Sequence, residues 1–130
     1  MVKLVIDTSA VVAVITKEPE AATFIATMGA ALSRQMTSLN LLEARIVLGL
    51  AKAMPPDTVD DFLRRERIDI ISFDEALSNL AFEAYRRFGK GRHPARLNMG
   101  DCAAYALAQA RGWSLLYKGE DFSQTDIERA

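Results

Sequence analysis

One cysteine, one histidine and almost no net charge are the scarcities that first narrow what this chain can be. Cys102 has no partner for an internal disulfide, which fits a reducing compartment. It is expected to be a small buried residue rather than a nucleophile, because the single His93 falls in a different kind of segment. Without a His or Cys cluster there is also no zinc site of the usual kind. The formal charge of -1, from 16 basic and 17 acidic residues, argues against bulk polyanion binding. No apolar run approaches the roughly 18 residues of a membrane span, and Asp7 interrupts the N-terminal apolar stretch before it could act as a signal peptide. A cytoplasmic protein is therefore expected. The chain has no Gly-x-x-x-x-Gly-Lys loop for a nucleotide and no Gly-x-Gly-x-x-Gly for a dinucleotide. Repeats, low-complexity tracts and linkers are likewise missing. At 130 residues it should form one domain over 1–130, burying roughly two-thirds of its unfolded surface without cross-links.

What is present begins at Lys3-Leu4-Val5-Ile6-Asp7-Thr8-Ser9, an apolar run that stops at a carboxylate and two hydroxyls. Three consecutive apolar residues suit a strand covered on both faces of a parallel sheet. A helix to about Thr16 follows, then Lys17-Glu18-Pro19-Glu20 opening a second whose buried stripe is Ala21, Phe24, Ile25, Met28 and Leu32. Arg34 to Ser38 reads as a short strand. Thr37 or Ser38 can cap a long apolar helix from Leu39 to about Met54, ended by Pro55-Pro56. Asp57 or Thr58 opens a surface helix burying Val59, Phe62 and Leu63. Ile68 to Phe73 reads as a strand, and Asp74 caps an amphipathic helix released at Gly89. From Asp101 to Ala110 an alanine-rich helix can pack closely, Gly112 stops it, and Ser114 to Tyr117 is a buried strand. This alternation argues for an α/β fold with a parallel sheet of about four strands and helices on both faces.

Four acids stand out. Asp7 ends the first strand, at the sheet edge where open α/β sheets bind ligands, although an Asp there can equally be a simple N-cap. Glu43 is the lone acid of an apolar helix; it either closes a capping box from Asn40, pairs with a base such as Arg45, or needs another compensating partner. Asp101 opens its helix after Asn98-Met99-Gly100, as a cap or as a ligand. Asp121 follows the last strand in a place like that of Asp7, or is a turn aspartate. Separately, each has a bland explanation. The fold nevertheless sends all four to one edge, where a pair about 4 Å apart would repel by on the order of 4 kcal/mol at an effective dielectric of 20. Such a cluster needs a cation. Ligation by oxygen alone selects Mg²⁺ or Mn²⁺, and the matching chemistry is phosphodiester hydrolysis by an activated water.

The blocks Val-Ile-Asp7-Thr-Ser-Ala, Leu-Leu-Glu43-Ala, Gly-Lys-Gly-Arg-His-Pro-Ala, Leu-Asn98-Met-Gly-Asp101-Cys-Ala-Ala-Tyr-Ala-Leu-Ala and Leu-Tyr-Lys-Gly-Glu-Asp121-Phe together resemble a PIN-domain ribonuclease, more closely a VapC-type toxin of a bacterial toxin-antitoxin pair. The resemblance covers essentially the whole chain. It implies a PIN-like three-layer α/β/α sandwich with a small, mostly parallel sheet. It further implies a metal-dependent endoribonuclease that is homodimeric and inhibited by a VapB-type antitoxin. On this sequence the acidic quartet falls on Asp7, Glu43, Asp101 and Asp121 as catalytic and metal-binding residues, supported by Thr8 or Ser9 and by the Asn98 amide. Glu120 or Asp126 could stand in for Asp121.

A run of Arg86, Arg87, Lys90, Arg92 and Arg96 without an acid marks Gly89 to Gly100 as a basic loop, and Lys90, Arg92 and Arg96 are expected to contact RNA phosphate. The helix from Leu39 carries apolar residues on more faces than one sheet contact covers, which also suggests a homodimer. Two rivals remain. An aspartyl phosphoryl-transfer enzyme is disfavoured because Ser9 stands where Asp-x-Asp would put a second acid. A catalytically inert PIN-like module that binds RNA or protein is the other, against which all four acids are present.

Overall fold

The computed structural model describes residues 2–130. Four parallel strands, β1 (Lys3–Ile6), β2 (Ser33–Thr37), β3 (Asp69–Ile71) and β4 (Ser114–Leu116), form one sheet in the order β3-β2-β1-β4. Leu4 of β1 is in register with Arg34 on one side and Ser114 on the other, so β1 is central. Its three apolar residues are fully buried, as their unbroken run requires: Leu4 and Ile6 enter one core and Val5 the other.

The core on the Leu4 and Ile6 side is built from α1 (Thr8–Ile15), α2 (Ala21–Ala30), α3 (Ser38–Arg45) and α4 (Thr58–Arg65). The core on the Val5 side comes from α5 (Glu75–Phe88) and α6 (Met99–Arg111), whose alanines 103, 104, 106 and 108 are buried against the sheet. The result is the expected three-layer α/β/α sandwich. Asp74 caps α5 by accepting from the Leu77 N–H, and Gly112 ends α6 in the left-handed conformation at φ 69°.

Four expectations shift. Of the stripe expected on α2 only Phe24 and Met28 are buried, while Ile25 and Leu32 are 45% and 55% exposed. The long helix from Leu39 is α3 continued by a π-helical turn over Ile46–Ala51, and Ala53, at φ 52°, breaks it before the two prolines. β3 is shorter than Ile68 to Phe73 because the Phe73 N–H turns away from the sheet to the Ser38 hydroxyl at 2.9 Å. Pro19 does not lie in the first turn of α2, which begins at Ala21; Glu18 and Glu20 flank it and serve another purpose described below. The chain end closes the free side of β4, where the Leu115 N–H donates to the Glu128 carbonyl at 2.9 Å.

Candidate metal centre

Asp7 leaves the carboxyl end of β1, and its Oδ2 caps α1 by accepting from the Ser9 N–H at 3.0 Å and the Ser9 hydroxyl at 2.6 Å. The capping role therefore uses only one oxygen. Oδ1 is buried with no hydrogen-bond partner, a costly arrangement unless a cation or a water completes it. Burial, offset in part by the Ser9 bonds and reinforced by the nearby Glu43 charge, pushes the Asp7 carboxyl up to about 6.

Asp101 shows the same division of labour on α6. Its Oδ2 accepts from the Asn98 N–H at 3.0 Å while its own N–H donates to Asn98 Oδ1 at 2.9 Å, a reciprocal capping box. Burial raises this carboxyl to about 7, and after the opposing Asn98 bond the further causes are the charges of Asp7, Asp121 and Glu43. All three other acids thus act on Asp101 electrostatically. Together with Thr8, Ser9 and Asn98 the four line one cleft of about 490 Å³.

Glu43 lies in α3, and neither bland explanation of it holds. The N-cap of α3 is Thr37, which accepts from the Asn40 N–H at 3.0 Å, and Arg45 pairs instead with Asp60 at 2.7 Å. The Glu43 carboxylate rests on Gly100, where any Cβ would come within 2.7 Å of its Cδ and overlap both oxygens. Asp121 opens a 3₁₀ turn, Asp121–Gln124, and lines the same cleft. Of its two alternatives, Asp126 is engaged elsewhere, accepting from the Tyr105 hydroxyl and pairing with Arg87 at 3.3 Å, and Glu120 is exposed away from the cleft lining.

Sequence reasoning read Asn40 only as a possible helix cap and missed that it ties these elements together. Asn40 is fully buried, and its Nδ2 donates to the Gly100 carbonyl at 3.0 Å and the Thr8 hydroxyl at 3.3 Å, reaching Glu43 Oε1 at 3.5 Å. Its Oδ1 accepts from Thr37 at 2.6 Å, and Thr8 donates to its carbonyl at 3.1 Å. An Asn one turn before the lone acid of an apolar helix was the available signal. Lys118 was also passed over: it lines the cleft and pairs with Glu18 and with Glu20, the latter at 3.5 Å.

Lys90, Arg92 and Arg96 do not line the acidic cleft. They are exposed on a loop that is braced by hydrogen bonds from Leu97 N–H to the Phe88 carbonyl and from Lys90 N–H to the Leu97 carbonyl, both 2.9 Å. His93 belongs to this bracing; its Nδ1 accepts from the Ala95 N–H at 3.0 Å and its ring meets Phe88 edge-on. The loop reaches the cleft only through Asn98. Cys102 is buried with its thiol pushed up to about 12, first by burial and then by the Asp101 charge, which leaves it inert.

Among the described residues no three His, Cys, Asp or Glu side chains converge closely enough to hold a metal ion between them. The donor set nonetheless fits a hard cation that keeps most of its waters and needs only one or two direct carboxylates. An orphaned Asp7 Oδ1 and mutually destabilised acids supply the reason to bind one.

The sequence pattern of the PIN domain family matches residues 4–128. The chain belongs to the PIN-domain family. Ribonuclease VapC30 of Mycobacterium tuberculosis is 42% identical to this PIN domain, over 95% of either chain. Ribonuclease VapC of Mycolicibacterium smegmatis is 42% identical over 95% of this chain and 97% of its own. Among solved structures, the Mycobacterium tuberculosis toxin VapC20, which cleaves the sarcin-ricin loop, shares the fold at a TM-score of 0.78 and 16% identity, with 98% of both chains covered. VapBC2 of Rickettsia felis, bound to a promoter DNA fragment, gives a TM-score of 0.72 at 18% identity, covering 100% of this PIN domain and 98% of that chain. No helix among the described residues is long and apolar enough to cross a membrane.

Proposed function

We propose that this PIN domain is a Mg²⁺-dependent endoribonuclease, with Mn²⁺ as a substitute ion, acting as the toxin of a toxin-antitoxin pair. The observation that carries the reading is the buried, partnerless Asp7 Oδ1 in a cleft shared with Glu43, Asp101 and Asp121. Asp7 and Asp101 would hold the ion through the oxygens their capping bonds leave over, and Glu43 and Asp121 would complete the set directly or through water. When bound, the ion lowers the pKa of a water and neutralises developing charge on a phosphate.

The chain's own residues set the geometry of that step. Ser9 fixes the Asp7 carboxylate, Asn98 fixes that of Asp101, and Asn40 locks α1, α3 and α6 to one another so that the carboxylates keep their spacing. Resemblance to VapC ribonucleases at 42% identity supports RNA as the substrate, and the VapBC fold relatives support a VapB-type antitoxin as partner. A second copy of the chain would cover Leu42, Ile46 and Leu50, which α3 and the π turn leave 52%, 48% and 77% exposed.

Incubation of the purified chain with single-stranded RNA in Mg²⁺ and in EDTA tests the activity. Endonucleolytic cutting that EDTA abolishes is expected; RNA binding without cutting in Mg²⁺ would favour the inert module. Co-purification with the product of an adjacent gene tests the antitoxin, and light scattering at micromolar concentration should give the mass of a dimer.

A further inference from the structure

The cleft poses a charge problem that its acids alone cannot solve. Asp7, Glu18, Glu43, Asp101 and Asp121 all line it, and among its lining residues Lys118 is the one cation. A divalent ion still leaves the cleft net negative, yet an RNA phosphate must enter. Lys118 is held close to the reacting region by its backbone. Its N–H donates at 3.0 Å to the Ser9 hydroxyl, which itself donates to Asp7 Oδ2 at 2.6 Å. Its ammonium, on a side chain about one-third exposed, is clasped by Glu18 and Glu20 from the α1–α2 connection. The Glu18 and Glu20 oxygens that face Lys118 are buried, and among the described residues the ammonium is the partner that compensates them.

We propose that Lys118 is the phosphate-binding cation of this cleft, stored at its rim on Glu18 and Glu20 and handed from those carboxylates to an RNA phosphate oxygen as the substrate enters. The inference rests on the ribonuclease reading and adds to it a substrate contact. The three side chains are each about one-third exposed, so water can take up the Glu18 and Glu20 oxygens as the ammonium turns to a phosphate, which keeps the exchange inexpensive. An ammonium carries three N–H donors, so one is left for the phosphate even before the clasp opens. The competing account is a purely structural clasp that joins the α1–α2 connection to the turn after β4.

The test measures binding of a fluorescent single-stranded RNA in EDTA, with cleavage in Mg²⁺ followed separately. Absence of cleavage by the parent overturns the ribonuclease reading, while only the binding data decide on Lys118. Lys118→Met should weaken binding about tenfold, and Lys118→Arg should restore it to within a few-fold of the parent. Glu18→Gln with Glu20→Gln should tighten binding in the parent but not in the Lys118→Met background. An equal gain in both backgrounds is mere loss of negative charge and overturns the proposal, as does unchanged affinity in Lys118→Met. If Lys118→Met gives no cooperative melt, the salt dependence of the double glutamine variant decides. Freeing Lys118 for one more phosphate should steepen its logarithmic slope by about 0.7, and an unchanged slope contradicts the inference.

Discussion

The Glu43 carboxylate lies directly on Gly100, on the space that a Cβ at that position would fill, so an acid from α3 and the first turn of α6 meet without a side chain between them. Absence of a side chain at residue 100 is thus what brings Glu43 toward Asp101. Gly100→Ala should therefore separate function from stability. The atoms it would strike are the far end of a flexible side chain, and alanine is favoured over glycine in a helix by up to about 1 kcal/mol, so the melting temperature should hold or rise. Displacement of Glu43 should lower Mg²⁺ affinity and cleavage by about 10- to 100-fold. Mg²⁺ titration calorimetry on both proteins, beside their melts, checks this; parental Mg²⁺ affinity would remove Glu43 from the site.

Asn40→Ala should behave in the opposite way. It strips donors from the Gly100 carbonyl and the Thr8 hydroxyl and leaves the Thr37 hydroxyl without its acceptor, all in a buried position. Unsatisfied buried groups of this kind cost about 1–3 kcal/mol each, so the loss should be on the order of 3 kcal/mol in urea unfolding. A loss below about 1 kcal/mol would show that Asn40 does not join these elements.

The raised carboxyls give a pH signature. Asp7 and Asp101, at about 6 and about 7, stand above the 3.8 of an exposed aspartate. Between about pH 4 and pH 7 the native state then binds more protons than the unfolded chain. Stability of the metal-free protein must fall as pH rises through that window, by an amount on the order of a few kcal/mol. Mg²⁺ favours the ionised forms, so it should raise the melting temperature more at pH 8 than at pH 5. Melts in EDTA that are flat or rising from pH 5 to pH 8 would deny the carboxyl shifts.

Much of this was legible in the chain because local chemistry and tertiary role coincide. Leu4, Val5 and Ile6 could only be a strand buried on both faces, and Asp74, Gly89 and Gly112 mark helix ends that tertiary packing does not override. The caps were ambiguous for a physical reason. Asp7 and Asp101 are both caps and cleft residues, one oxygen for each role, so a choice between the two readings was not there to be made. The role of Asn40 stayed hidden because its partners, Thr8 and Gly100, lie 32 and 60 residues away in sequence and no periodicity encodes such pairings. The Lys118 clasp depends in the same way on where the α1–α2 connection meets the turn after β4.

The basic loop bears on the site from further away. Lys90, Arg92 and Arg96 are exposed and outside the cleft, so replacing all three with Ala should weaken RNA binding by leaving phosphates without a cation, while Mg²⁺ affinity stays unchanged. The logarithmic salt slope should flatten by about 0.7 for each phosphate that is no longer neutralised. An unchanged slope would mean that the loop is only a solvated, well-braced connection into α6.

The central claim is that Asp7, Glu43, Asp101 and Asp121 form one cation site, and Asp101→Asn tests it most directly. Asparagine keeps an acceptor for the Asn98 N–H, so the capping box survives the change. Removing one of the mutually repelling, buried charges should raise the melting temperature in EDTA at pH 8. Mg²⁺ should then stabilise the variant far less than the parent, since binding to the native state is the source of that stabilisation. RNA cleavage in Mg²⁺ should be lost at the same time. An Asp101→Asn protein that melts at or below the parent in EDTA, gains as much from Mg²⁺ and still cuts RNA would contradict the account.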